Sequence, residues 1–435
     1  MLVLLMGAFF LPAAWAVPSF SRQTGLACNV CHITPPELTQ FGRMFKLNGY
    51  TLTGMKQISV KPAGSTAGLS LNEALPLSAM LQVADTAMRK PVAGTQNNSA
   101  EFPQQFSLFL AGELAPHVGS FMQVTYSGPD DHFGMDNTDF RIAGQGTLGG
   151  KSVIYGATLN NNPTVEDIWN DTPAWGYPYV GPDTDNGPNS APFLQGALAT
   201  DVLGLGGYAM LDNHLYGNFS LYRSAHLGQA PATGAGFNFN IARTAPYWRA
   251  AWQQDIGAAQ LEVGTFGMRV NSFPQAVTGP TDQLTDKAVD FQLTAPVSRY
   301  LISLHGVYTD ETSNLVGSVA AGTASTAAHV LHNTRLDATF HFGDRYSAGA
   351  GYFNNTGTGD ALLYPDSGDE AGSVNNSPAN SGWIVQGGYW MDQNIELTAQ
   401  YTIYHKFNGG TLNYNGQGRN ASDNDAVYLM AWFLF

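Results

Sequence analysis

Cys28-Asn29-Val30-Cys31-His32 holds the only two cysteines of a 435-residue chain. Two thiols three positions apart, followed at once by an imidazole, form the pattern of c-type haem attachment. The thiols add to the two vinyl groups and the imidazole reaches the iron. A C-x-x-C pair also serves as a redox dithiol or as half of a zinc site. Here no strand–helix–strand pattern surrounds the pair and no second pair exists to complete a tetrahedral site. The expected cofactor is one covalently attached haem c, with Cys28 and Cys31 as thioethers and His32 as proximal iron ligand.

Such attachment takes place outside the cytoplasm, and the start of the chain agrees. Leu2 to Leu11 is an apolar run too short to span a bilayer, and Ala14-Trp15-Ala16 is a small-x-small cleavage site. Residues 1–16 therefore read as a signal peptide, with Val17 first in the mature chain. The run lacks a basic n-region, which points to a start upstream of Met1. With both thiols in thioethers, no disulfide is available.

Downstream of the motif, Pro36 to Lys46 reads as a helix opened by proline, with Leu38, Phe41 and Phe45 at three- and four-residue spacing. Phe41 and Phe45 are candidates for haem packing, although the same stripe would suit packing on any wall. Arg43 and Lys46 are candidate propionate partners. For the sixth iron position the nearby thioethers are Met44 and Met55, with Met55 preferred; His117, His305 and His341 serve if another part of the chain completes the pocket. Residues 17–56, the cytochrome segment, are too few to bury a core alone. They are expected to form a plug, with 57–74 as linker and the haem pocket completed by residues 75–435.

That remainder reads as a transmembrane β-barrel, making the fold class all-β. Charged residues are 12% of the chain, hydrophobics 44%, and no later stretch reaches the length of a membrane helix. Several segments alternate with period two. Leu336, Ala338, Phe340 and Phe342 oppose Arg335, Asp337, Thr339 and His341. Ile395, Leu397, Ala399, Tyr401 and Ile403 oppose Glu396, Thr398, Gln400 and Thr402. Val289, Phe291, Leu293 and Ala295 oppose Asp290, Gln292 and Thr294, and Leu77, Ala79, Leu81 and Val83 begin the series. These faces suit lipid on one side and a wet lumen on the other. A secreted globular β-protein would share the composition.

Connections are unequal. Phe342 to Tyr346 and Tyr389 to Asn394 are short turns edged by aromatics, whereas Asn354 to Ser381 and Asn271 to Lys287 are long and acidic. Tight turns at one rim and long loops at the other fit a barrel. At roughly 22 residues per strand and connection, the roughly 360 residues from Leu75 give about 16 strands. The final strand, closing on Phe435, resembles the C-terminal signal of outer-membrane barrels. Asn160 to Trp175 carries helix-start chemistry at Thr164 and reads as a constriction loop inside the barrel or a stiff surface loop.

Pro18-Ser19-Phe20-Ser21-Arg22-Gln23-Thr24-Gly25, the Cys28–His32 motif, Leu38-Thr39, Phe41-Gly42-Arg43, Phe45-Lys46 and Gly49-Tyr50 together resemble the N-terminus of the outer-membrane fused monohaem cytochrome–porins. The likeness is close over about 35 residues and architectural beyond them. It implies one c-type haem ahead of a porin-like barrel and an activity of extracellular Fe(II) oxidation. The expected function is an oxidoreductase of the bacterial outer membrane that takes electrons from extracellular Fe(II). It would pass them inward to a periplasmic carrier such as a soluble cytochrome. The alternatives are an outward electron conduit and a passive porin with a structural haem. A single one-electron centre matches a one-electron donor. The net charge of −14, with Asp130, Asp131, Asp136 and Asp139 on one connection and Asp366, Asp369 and Glu370 on another, favours a cation. Outer-membrane lipid is an expected partner and nucleic acid is not. No nucleotide loop, hydrolase triad or H-E-x-x-H helix occurs.

Overall fold

Lipid offers no water to exposed backbone groups, so strands can cross it only if the sheet closes on itself. The computed structural model shows that closure. It describes residues 18–52, 59–60, 71–72, 75–92, 97–128, 131–172, 176–182, 190–195, 198, 201–228, 239–274 and 277–435. The expected signal peptide 1–16, Val17 and Met55 lie outside the described residues. Of the expected linker only a short ribbon is described, β1 (Ser59–Val60) paired with β2 (Leu71–Asn72).

The barrel strands are β3 (Leu77–Met88), β4 (Ser99–Ala115), β5 (Val118–Ser127), β6 (His132–Leu148), β7 (Lys151–Asn160), β8 (Val202–Leu211) and β9 (Leu215–Ser224). They continue with β11 (Ala245–Ile256), β12 (Ala259–Phe273), β13 (Asp282–Val297), β14 (Tyr300–Asn314) and β15 (Ala328–Phe342). The last four are β16 (Tyr346–Gly357), β17 (Asn380–Asp392), β18 (Ile395–Lys406) and β19 (Ala426–Leu434). The sheet has 17 strands, but the two-residue β10 (Asn240–Ile241) merely pads β12, so 16 make the wall. All pair antiparallel with sequence neighbours. The ring closes where Leu434 pairs with Met80 and Ala426 with Met88.

Side-chain alternation sorts the two faces as expected. Leu336, Phe340, Phe342, Val289, Phe291, Leu397 and Tyr401 are exposed on the outside, while Thr339, His341, Asp290, Gln292, Glu396, Thr398 and Gln400 are buried inside. Tyr300 and Phe342 meet edge-on and Tyr346 and Tyr389 stack at the short-turn rim, an interfacial girdle. Among the described residues no helix is long and apolar enough to cross a membrane.

Two boundaries differ from the sequence reading. β12 and β13 stay paired out to Ser272 and Asp282, so the 271–287 connection shortens to 274–281. Asp136 and Asp139 belong to β6, and Asp139 is fully buried on the inner wall, so neither adds to an acidic loop.

The lumen is filled. α1 (Pro18–Thr24), α2 (Cys28–Cys31) and α3 (Gln40–Leu47) enter it from the N-terminal segment. From the opposite rim the 161–172 connection folds inward through a 3-10 turn, Pro163–Glu166, with every residue of that turn buried. The constriction-loop reading is the one the structure shows. Trp169, Ile168 and Leu47 pack with Tyr208, Met210 and Tyr216 of the wall.

Candidate functional site

Cys28 to His32 sits where α2 meets α3. Thr39 joins the two: its hydroxyl donates to the Val30 carbonyl, its N–H donates to the Cys31 carbonyl at 2.9 Å, and its oxygen caps α3 at Gly42 N. Gly42 lies so close that a Cβ there would stand 2.1 Å from the Cys31 carbonyl oxygen. The helix therefore starts after Thr39, rather than at Pro36. Pro36 to Leu38 are drawn into a bridge between His32 and Leu38 and into hydrogen bonds from Asn170 to Pro36 O and from Leu38 N to Trp169 O.

A cavity of about 660 Å³ opens beside both thiols and His32. Phe20 and Phe45 wall it from the plug, edge to face at 5.1 Å. Opposite them stand Met80, Phe109, Phe121, Trp432 and Leu434 on the inner faces of β3, β4, β5 and β19, where a porin lumen would ordinarily be polar. The far end of the cavity turns polar, with Gln104, Gln123, Thr125, Asp136 and Asn137, and reaches Gly181 and Pro182 of the long-loop side. A second cavity of about 470 Å³ touches Cys28 and His32 and runs between Tyr300, Tyr346 and Trp390 at the short-turn rim.

Burial pushes the Cys31 thiol up to about 11, and no disulfide joins it to Cys28. Burial takes His32 down to about 4 against the upward pull of the Glu37 and Pro36 carbonyls, so the ring is a neutral imidazole, the form that ligates metals. Two neighbouring thiols, a neutral imidazole and a cavity whose walls beside them are largely apolar fit a covalently held haem.

The other expected site residues divide. Phe45 and Lys46 border the cavity. Lys46 Nζ is already committed to Asp167 O at 2.8 Å and Asn170 Oδ1 at 2.9 Å. Arg43 does not border the cavity; its guanidinium donates to Leu38 O at 2.9 Å and to the Gln260 side chain of β12. Phe41 points away and is 39% exposed, so Leu38, Phe41 and Phe45 do not form one face. Met44 packs on the Leu47–Trp169 cluster. His305 is held between Asp337 at 2.7 Å and Glu37 at 3.2 Å, and His341 Nδ1 lies 3.4 Å from the Thr34 hydroxyl. Met80 was missed. In Leu77 to Val83 it stands among the inward residues with Ser78 and Gln82, and an apolar side chain on the polar face was its only signal.

On the plug's other side the inward 161–172 connection is clamped to the wall by buried charge, and Tyr50 of the plug reaches the same cluster. Arg141 of β6 pairs with Asp139 at 2.6 Å and with Glu166 at 3.5 Å, and Tyr50 OH donates to Asp139 at 2.6 Å. Arg249 of β11 meets Asp290 at 2.5 Å, Glu262 at 3.3 Å and Asp167 at 3.5 Å. Burial raises the Asp167 carboxyl, but Arg249 and the amides of Thr172 and Trp169 outweigh it and bring it to about 2.

A closed antiparallel sheet with an apolar outer belt, an aromatic rim and a polar-lined interior defines a porin-like β-barrel of the bacterial outer membrane. No family model matches the chain. No curated protein matches it either. Among solved structures it is similar to OmpF of Salmonella typhi in complex with daunomycin, at 10% identity and a TM-score of 0.47 over 82% of this chain and 97% of that one. The outer-membrane channel DcaP of Acinetobacter baumannii gives 10% identity and 0.47 over 82% and 96%. The anion-selective porin from Comamonas acidovorans gives 11% and 0.47 over 82% and 98%. These are likenesses of barrel architecture alone.

Proposed function

We propose that the chain is a fused monohaem cytochrome–barrel that takes electrons from extracellular Fe(II) and hands them to a periplasmic carrier, such as a soluble cytochrome. The observation that carries this reading is the cavity shared by Cys28, Cys31 and His32 and by an apolar patch of the inner wall. Bound there, a haem c would supply one-electron redox chemistry matched to Fe(II). The two thiols would hold it, His32 would offer a ring nitrogen, and Phe20, Phe45, Phe109 and Phe121 would keep water from that part of the cavity. The polar end of the cavity leads toward the long-loop side, and the second cavity leads from His32 to the short-turn rim. Opposite exits suit a relay across the membrane. The exposed Asp366 and Asp369 attract a cationic donor.

A passive porin with a structural haem is the second reading. It is favoured by the two cavities, one reaching the long-loop side and one the short-turn rim, which share Cys28, His32 and Pro35 in their linings. Haem staining after denaturing electrophoresis, then anaerobic mixing of the oxidised protein with Fe(II), separates the readings. Covalent stain and haem reduction within seconds are expected. Stain without reduction would leave the porin reading.

A further inference from the structure

A haem iron takes the four porphyrin nitrogens and His32. Met55 lies outside the described residues, and among the described residues of the N-terminal segment no further imidazole or thioether borders the cavity to serve as the sixth ligand. We propose that the barrel wall supplies it: the thioether of Met80, on β3, is the distal axial ligand. The inference rests on the haem reading above.

Of the wall residues around the cavity that both thiols and His32 border, Met80 alone carries a soft donor to iron. It is buried to 5% exposure on the inward face of β3 between Ser78 and Gln82. The amide nitrogen of Gln82 donates to its sulfur at 3.8 Å, a weak contact that fixes where the thioether lies without engaging it strongly. The strand itself is anchored at the ring closure, where Met80 pairs with Leu434 of β19, another cavity residue. α1 is tied to the same region, with Gln23 donating to Ala111 O at 2.9 Å and Arg22 donating to Leu77 O. The plug and the strand bearing Met80 are thus held to each other next to the cavity.

The competing donors are placed otherwise. Met44 is packed in the Leu47–Trp169 cluster. Both ring nitrogens of His305 are engaged, by Asp337 and by Glu37. His117 occupies a turn with positive φ and does not border the cavity. His341 has an unpartnered Nε2, but it borders the second cavity, which Cys31 does not touch. A thioether ligand shifts a haem to higher potential than a second imidazole would, the direction an acceptor of electrons from Fe(II) requires.

The test is spectroscopic and potentiometric, on the full-length protein in detergent. Wild-type ferric protein should show the sulfur-to-iron charge-transfer band of a Met-ligated haem. Met80→Leu keeps the apolar volume and should abolish that band, lower the midpoint potential and open the ferrous iron to carbon monoxide. Met80→His should restore a six-coordinate low-spin spectrum at a lower potential than wild type. Met88→Leu, on the same face but away from the cavity, should leave band and potential unchanged. A wild-type protein with covalent haem and no thioether band overturns the assignment even if the variants misfold. So does a Met80→Leu spectrum identical to wild type, or a change confined to His341→Ala. Absence of covalent haem in the wild type overturns the haem reading and the ligand with it.

Discussion

The plug meets two unlike halves of the same barrel. Along β6 to β15 it is gripped by hydrogen bonds, Tyr208 OH on Leu47 O at 2.7 Å, Gln292 on Glu37 at 2.7 Å and Tyr50 OH on Asp139 at 2.6 Å, and it rests on the 161–172 connection, whose Glu166 and Asp167 meet Arg141 and Arg249 of the wall. Along β19, β3, β4 and β5 it faces Met80, Phe109, Phe121 and Trp432 across open space. The difference assigns separate work to each. Buried ion pairs contribute little net stability but punish misplacement, since a lone buried charge is costly, so the charged half sets register and orientation. The apolar half holds the plug at α1, through Gln23 on Ala111 O and Arg22 on Leu77 O, and leaves a largely apolar volume beside the thiols.

The contrast can be broken most forcefully from the charged side. Arg249→Met leaves Asp167, Glu262 and Asp290 buried without their cation and should cost about 3–5 kcal/mol, seen as a lower denaturant midpoint and faster proteolysis of the plug. Covalent haem should persist in that variant. Phe121→Ala on the apolar side should do the reverse. It should cost about 2 kcal/mol in unfolding, while shifting the haem absorbance and potential as water reaches the cofactor.

Lys46 gives the comparison a pH dependence. Burial and the neighbouring Arg141 take its amine from the usual value of 10.5 down to about 7. A folded-state value below the unfolded one means that the unfolded chain binds more protons between them, so plug stability should fall as pH drops from 10.5 to 7 and level off below 7. Protease resistance of the plug against pH measures this, and Lys46→Met should flatten the profile. The smallest effect belongs to the loops. Asp366→Asn with Asp369→Asn should slow haem reduction by Fe(II) by about a few-fold at low salt, with no difference at high salt.

Much of the barrel was legible because period-two alternation is local: Arg335 to Phe342 and Ile395 to Ile403 sort into faces without knowledge of their neighbours. The strand number followed from mean spacing. Lumen contents were far less legible. Glu166 and Arg141, or Asp167 and Arg249, meet only after the ring has closed and the 161–172 connection has turned inward. A charge at an inward position reads the same whether it faces water or a partner. The helix start was misplaced for a local reason: Pro36 is a good first-turn residue, but Thr39 is a better cap, and the His32–Leu38 bridge occupies the residues between. Arg43 and Lys46 looked suited to propionates because a sequence shows their charge and not the Gln260 and Asn170 that claim them.

On the proposed function, electrons cross this barrel and solutes do not, a distinction open to measurement. Its most direct measurement uses the full chain reconstituted in liposomes that enclose an oxidised soluble cytochrome, with Fe(II) added outside and the enclosed absorbance followed alongside single-channel conductance. Reduction of the enclosed cytochrome, no steady ion conductance, and loss of the reduction in Cys31→Ala are expected. A conducting, leaky vesicle whose enclosed cytochrome stays oxidised until Fe(II) itself enters would contradict the proposed function.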